Sequence, residues 1–236
     1  MKKVTGFPVT QKIFITCEKH RQMETTTYTV PFNRNEEIVN ALTHGIGVVL
    51  GIIGLPILIA FALAHSNTLG IASVCIYSFS FLLVFTCSTI FHLSQKPSLR
   101  KVFKICDHIS IYFLIAGTYT PFLVMYMNNT FGNTLLCVLW GLTFAGIFFK
   151  IRFTGRFEVV SIIIYVLMGW MMVAGGHKFF DSLPHQVVVF ICAGGIIYTI
   201  GSVFYIWDRY KYTHAVWHTF VIAGAACHYA AVWLAV

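Results

Sequence analysis

Two histidines near the end of the chain, His214 and His218, lie four residues apart in a segment that carries no Lys, Arg, Asp or Glu after Lys211. On an α-helix, residues i and i+4 point from one face and lie about 5–6 Å apart, so the two imidazoles can reach one metal ion. Taken alone, such a pair is more often a hydrogen-bonded or interfacial pair than a metal site. A metal site therefore needs further ligands from elsewhere in the chain.

A third imidazole and two other polar groups are available. Ser88 and His92 are also four residues apart, and Asp107 stands in the stretch KICDHIS. Three histidines with a fourth coordination position left for water are the arrangement expected of a catalytic zinc ion. Asp107 can hold that water or orient one of the imidazoles. This interpretation requires that the segments carrying these residues meet.

The composition predicts that those segments cross a membrane. Of the 236 residues, 58 % are hydrophobic and 10 % are charged, whereas about a quarter of the residues of soluble domains are charged. Seven apolar runs lack Lys, Arg, Asp and Glu, and each approaches the ~17–25 residues that span a bilayer as a helix. The runs are Leu42–Ala64, Leu69–Phe91, Ile109–Met127, Asn133–Phe149, Val159–Gly176, Val187–Ile206 and Thr213–Val236. Because they do not alternate as barrel strands do, we predict an all-α seven-transmembrane helix bundle.

The distribution of basic residues predicts the orientation of the bundle. Fifteen of the 16 Lys and Arg residues lie before span one or in the loops after spans two, four and six, and Lys178 alone lies on the other side. Cytoplasmic loops carry the excess of Lys and Arg in membrane proteins. We therefore predict a cytoplasmic N-terminus and an external C-terminus.

With this orientation the candidate residues share one depth near the cytoplasmic face. Span two ends there with His92, and spans three and seven begin there with Asp107 and the pair His214 and His218. Span one is introduced at that depth by Glu36, Glu37, Asn40, Thr43 and His44. Because ionisable groups at membrane depth are functional candidates by default, we predict a metal site of His92, His214 and His218.

The other histidines have weaker interpretations. His44 and His108 can simply lie in the headgroup region. His228 lies about 15 Å further along its helix than His218 and is predicted to make a buried polar contact, with lining of a path through the bundle as the alternative. A second metal site on the outer side is disfavoured, because short polar loops commonly collect such residues. That outer group consists of His65, His177, His185 and Asp181.

The remaining features predict a membrane protein without a second domain. Residues 1–35 are predicted to form a short cytoplasmic tail, and residues 36–236 the membrane domain, with span one retained as the insertion signal. The seven cysteines lack a CxxC spacing and are interpreted as buried hydrophobes. The net charge of +8 is explained by attraction of basic loops to anionic lipid. No nucleic-acid partner is predicted, because no nucleic-acid-binding motif occurs.

Several short motifs occur in a fixed order along the spans. They are E-x-x-N-x-x-T-H-x-x-G from Glu37 to Gly47, S-x-x-x-H at Ser88 and His92, the aspartate at Asp107, and H-x-x-x-H at His214 and His218. In this order the chain resembles the haemolysin III family, the bacterial branch of the progestin and adiponectin receptor superfamily. The resemblance covers roughly residues 36–236, and the segment before Asn35 has no counterpart in it.

The resemblance implies a Zn²⁺ ion held by His92, His214 and His218 near the cytoplasmic face. It also implies that Asp107 acts on the ion through water and that Ser88 contacts the ligands and not the ion. We therefore take Asp107 and Ser88 as the candidate catalytic residues. The receptor and ceramidase relatives of this family imply hydrolysis of lipid amides. The name of the bacterial branch implies lysis of red cells, and its bacterial members imply control of membrane lipid fluidity.

Three functions follow as hypotheses. The first is an intramembrane zinc hydrolase of a lipid amide or ester in a bacterial plasma membrane, with membrane lipids as its partners. The second is a cytolytic pore former, which seven charge-free spans disfavour because they offer no soluble form for export. The third is a non-enzymatic sensor or receptor in which zinc is structural. The sequence predicts no oligomeric state.

Overall fold

The computed structural model describes residues 33–154, 156–207 and 210–236, and within these residues the secondary structure is helical throughout. The helices are α1 (Arg34–His65), α2 (Thr68–Leu93), α3 (Pro97–Tyr126), α4 (Thr130–Phe153), α5 (Glu158–Gly169), α6 (Met172–Phe180), α7 (His185–Ile206) and α8 (Thr213–Ala235). The predicted tail at residues 1–35 lies almost entirely outside the described residues. The first helix already begins at Arg34.

The described part of the chain contains seven segments that are long and apolar enough to cross a membrane. Six are single helices, and the seventh is formed by α5 and α6 together. The predicted seven-transmembrane helix bundle is therefore confirmed. Several helices extend beyond the predicted spans, because their polar first turns at Glu36 and Arg100 continue the helix outside the apolar runs.

The fifth span is broken, and a tyrosine from α3 satisfies the break. The turn between α5 and α6 frees backbone groups that hydrocarbon cannot satisfy. The Tyr119 hydroxyl donates to the carbonyl oxygen of Gly169 at 2.7 Å and accepts from the backbone N–H of Met172 at 3.0 Å. Within α6, Gly176 has φ 49° and ψ −139°, a conformation that favours glycine. The sequence did not predict this interruption.

The packing of the helices brings the first and the last membrane-spanning helix of the chain into contact. α2 packs against α1 and α3, α7 packs against α8, and α8 returns to contact α1 and α3. Close approach of α1 and α2 depends on Gly47, since a Cβ atom there would lie 2.2 Å from the Phe85 ring. The starts of α1, α3 and α8 and the end of α2 thus supply side chains to one end of the bundle.

Candidate metal centre

The structure brings together the three histidines that were named from the sequence. Ligand atoms of His92, His214 and His218 all lie within 4.8 Å of one another. The ring centroid of His92 is 5.2 Å from that of His214 and 5.0 Å from that of His218. The ring centroids of His214 and His218 are 4.6 Å apart. His92 and His218 are 5 % and 2 % exposed. Two buried imidazoles and the partly buried imidazole of His214 can therefore bind one metal ion.

Glu37 of α1 fixes the ring of His92. The Nδ1 atom of His92 lies 2.7 Å from Oε2 of Glu37, and the other Glu37 oxygen accepts from the guanidinium of Arg100. Because the carboxylate accepts, Nδ1 carries the proton and Nε2 carries the lone pair. That Nε2 atom is buried and has no hydrogen-bond partner among the described residues. It is the nitrogen that can bind a metal.

Two other groups of α1 fix the ring of His218. Its Nδ1 atom lies 3.1 Å from the carbonyl oxygen of Asn40 and 3.2 Å from the Thr43 hydroxyl oxygen. The Thr43 hydroxyl donates to the same carbonyl at 2.8 Å, so it accepts from the imidazole. Nδ1 is therefore the protonated nitrogen, and Nε2 is left for a metal. The donor set suits Zn²⁺, although imidazole also suits copper, iron and nickel.

The sequence did not predict that side chains and backbone of α1 hydrogen-bond to two of the three histidines. Glu37, Asn40 and Thr43 follow one another at intervals of three, which places them along one side of a helix. Their depth and their motif were recognised, but their contacts with His92 and His218 were not. The spacing was the available signal, because polar groups on one side of an apolar helix need partners in the bundle.

Ser88 and Asp107 are not members of the three-histidine group. Ser88 is fully buried, and its hydroxyl has no hydrogen-bond partner within the described ranges. It stands one turn before His92 on α2. The Asp107 carboxylate lies 4.0 Å from Nδ1 of His108 and is not part of the group whose ligand atoms lie within 4.8 Å of one another. The catalytic roles of these two residues stay predictions.

His44 lies inside the bundle, whereas the sequence suggested a residue of the headgroup region. Its side chain is 3 % exposed, and its ring is stacked on that of His218 with centroids 3.6 Å apart. It also meets the Phe85 ring edge-on at 5.1 Å. The physical reason is that Gly47 lets α1 approach α2 closely, which buries the adjoining turn of α1.

His108 belongs to a neighbouring ion-pair network that the sequence did not predict. Its Nε2 atom lies 3.2 Å from Oε2 of Glu158, and the same oxygen accepts from the buried Lys150 ammonium at 2.9 Å. The Tyr205 hydroxyl lies 3.5 Å from Nε2 of His108, and the Tyr205 ring lies 5.5 Å from that of His214. The network therefore joins α3, α4 and α5 beside the cluster.

The histidines at other depths form no second cluster among the residues described. The three histidines of the outer group and Asp181 do not place three ligand atoms together. His228 makes the predicted polar contact, since its Nε2 atom lies 3.3 Å from the carbonyl oxygen of Ile191, and the contact is partly buried. The candidate metal site is thus confined to one end of the bundle.

Comparison with known proteins agrees with the resemblance of the motifs. Residues 32–229 match the family described as Haemolysin-III related. The chain is 41 % identical to Hemolysin-3 of Bacillus cereus over 191 residues, which cover 81 % of this chain and 87 % of that protein. It is 43 % identical to the Hemolysin-3 homolog of Bacillus subtilis (strain 168) over 195 residues, covering 83 % and 92 %. The Monocyte to macrophage differentiation factor of Homo sapiens is 29 % identical over 206 residues, covering 84 % and 83 %.

Proposed function

This chain belongs to the Haemolysin-III related family, and from that premise we propose that it is a zinc-dependent hydrolase of lipid amides or esters that contributes to membrane lipid homeostasis. The observation that carries the proposal is the cluster of His92, His214 and His218, whose ligand atoms lie within 4.8 Å of one another. Three imidazole ligands leave a fourth position for water or substrate, as catalytic zinc sites do.

The chemistry of a bound zinc ion suits this reaction, because such an ion polarises a carbonyl oxygen and lowers the pKa of water towards ~7. The residues of the chain then have separate roles. Asp107 takes a proton from the attacking water as the new C–O bond forms at the carbonyl carbon. It returns that proton to the leaving nitrogen or oxygen as the old bond breaks. The products are a fatty acid and an amine or alcohol.

Asp107 is proposed as the base because its carboxylate is less engaged than those of Glu37 and Glu158. Glu37 is engaged on both oxygens, and Glu158 forms ion pairs with three basic side chains. The Asp107 carboxylate, in contrast, lies 4.0 Å from His108, which is beyond hydrogen-bond distance. The Ser88 hydroxyl, buried one turn from His92, is proposed to orient the attacking water.

A lipid substrate is proposed because of where the cluster lies. The histidines are on helices long and apolar enough to span a bilayer. A lipid can reach such a site sideways between helices, whereas a water-soluble substrate gains nothing from a site inside a bundle. The partners of the protein are therefore membrane lipids, and we place it in the plasma membrane of a bacterium.

We also propose that the cluster faces the cytoplasm. A reporter that is active only in the cytoplasm is expected to be active when fused after Arg100 or Arg152, and inactive when fused after Asn129 or Asp181. The reason is the strong bias of Lys and Arg to one side of the spans. The reverse pattern of reporter activity would place the cluster at the external face.

The hydrolase is tested directly with purified protein in nanodiscs and a panel of ceramides, other fatty amides and phospholipids. The zinc-loaded protein is expected to release fatty acid, a strong chelator is expected to stop the release, and added zinc to restore it. Zinc-loaded protein that turns over no member of the panel would contradict the proposal and favour the non-enzymatic sensor.

A cytolytic activity is a second candidate, because two similar proteins carry the names Hemolysin-3 and Hemolysin-3 homolog. A pore would release a fluorescent dye from liposomes without forming any hydrolysis product. Measuring dye release and fatty acid in one sample therefore separates the two functions.

A further inference from the structure

His44 is a fourth imidazole in the site that the proposed reaction has not used. It is 3 % exposed and stacks on His218 with an angle of 24° between the rings. It is not part of the group of three ligands. His44 thus lies against the ligands without being one of them.

Both ring nitrogens of His44 are buried and lack a hydrogen-bond partner in the described part of the chain. A neutral imidazole always presents one N–H donor and one lone pair, so a donor and an acceptor are both unsatisfied. Burying such groups unpaired costs free energy that a phenylalanine ring in the same place would avoid. Packing against His218 alone therefore does not account for a histidine here.

Other unpaired polar atoms lie in the same region. The side-chain oxygen of Asn40 is buried without a hydrogen-bond partner among residues 33–154, 156–207 and 210–236, and so is the hydroxyl oxygen of Ser88. Asn40 is one turn before His44 on α1, and Ser88 is one turn before His92 on α2. The Asn40 backbone carbonyl contacts His218, which places these residues beside the ligands. A group of unpaired donors and acceptors needs a polar occupant.

We propose that His44 and Asn40 form a substrate subsite beside the metal ligands, which binds the polar group next to the scissile bond. The inference rests on the proposed function and deepens it. The Asn40 side-chain oxygen only accepts hydrogen bonds, so the bound group must donate one, as an amide N–H or a hydroxyl does. The neutral His44 imidazole supplies one donor and a second acceptor. The subsite therefore selects lipids that carry a hydrogen-bond donor beside the carbonyl.

The test measures binding of dodecanohydroxamate to the full chain loaded with Co²⁺, followed by the change in the visible absorption of the metal. His44→Phe keeps the ring and removes both nitrogens. It is expected to keep metal stoichiometry and to bind the hydroxamate about 10-fold more weakly, since one good hydrogen bond is lost. His228→Phe is the matched control, because it removes a partly buried imidazole about 15 Å away along α8. Its affinity for the hydroxamate is expected to equal that of the wild type.

Asn40→Leu provides an independent variant, since it removes the unpaired side-chain oxygen but keeps the backbone carbonyl that binds His218. It is expected to weaken hydroxamate binding by a similar factor with normal metal content. Unchanged hydroxamate affinity in both variants would show that His44 and Asn40 only pack, and loss of the metal from His44→Phe would make His44 a ligand. Either result overturns the subsite. Metal-loaded wild type that binds no hydroxamate would instead contradict the proposed function.

Discussion

Asp107→Asn is expected to lower hydrolysis of a lipid amide by about 10²–10⁴-fold, the contribution typical of a general base. Asparagine has the shape of aspartate but cannot accept the proton of the attacking water. The three imidazoles are unchanged, so the variant is expected to bind zinc as the wild type does. The measurements are fatty acid release in nanodiscs and zinc content per chain.

Asp181→Asn is the matched control, because it makes the same change in the segment between α6 and α7, away from the histidine cluster. Its turnover is expected to equal that of the wild type. If zinc only holds helices together, Asp107→Asn would change function by no more than the roughly 10–100-fold typical of residues that support ligands. Unchanged turnover in Asp107→Asn would exclude Asp107 as the base.

The sequence predicted which ends of the spans carry the histidines that meet, because this follows from the order of the spans along the chain. The lengths of the apolar runs define seven spans, and successive spans run in opposite directions. The ends of spans one, two, three and seven that carry polar residues must therefore meet at one level. For this reason His92, His214 and His218 could be grouped before any contact between them was known.

The rotation of each helix about its axis could not be predicted in the same way. A span that faces lipid on one side and helices on the other is apolar all round, so hydrophobicity does not show which side is buried. Helix α1 illustrates the consequence. Glu37 and His44 were expected at the same end of the bundle as the three histidines, but only the structure shows that Glu37 binds His92 and that His44 stacks on His218.

The double variant His214→Ala/His218→Ala is expected to lose essentially all of the roughly one zinc ion per chain expected of the wild type, because His92 alone remains as a ligand. The measurement is metal content of the purified protein by mass spectrometry, with size-exclusion chromatography and helical circular dichroism to confirm folding. His177→Ala is the control, since His177 lies outside the cluster. Full zinc in the double variant, or equal loss in His177→Ala, would refute the site.

Glu37→Gln tests zinc affinity in graded form, because it changes the hydrogen-bond partner of His92 and keeps all three imidazoles. The Gln oxygen can still accept from Nδ1 of His92, but the negative charge shared by His92 and Arg100 is lost. Zinc is therefore expected to bind about 10–100-fold more weakly, between the wild type and the double variant. Equal zinc affinity in Glu37→Gln and the wild type would mean that the rest of the bundle, and not α1, orients His92.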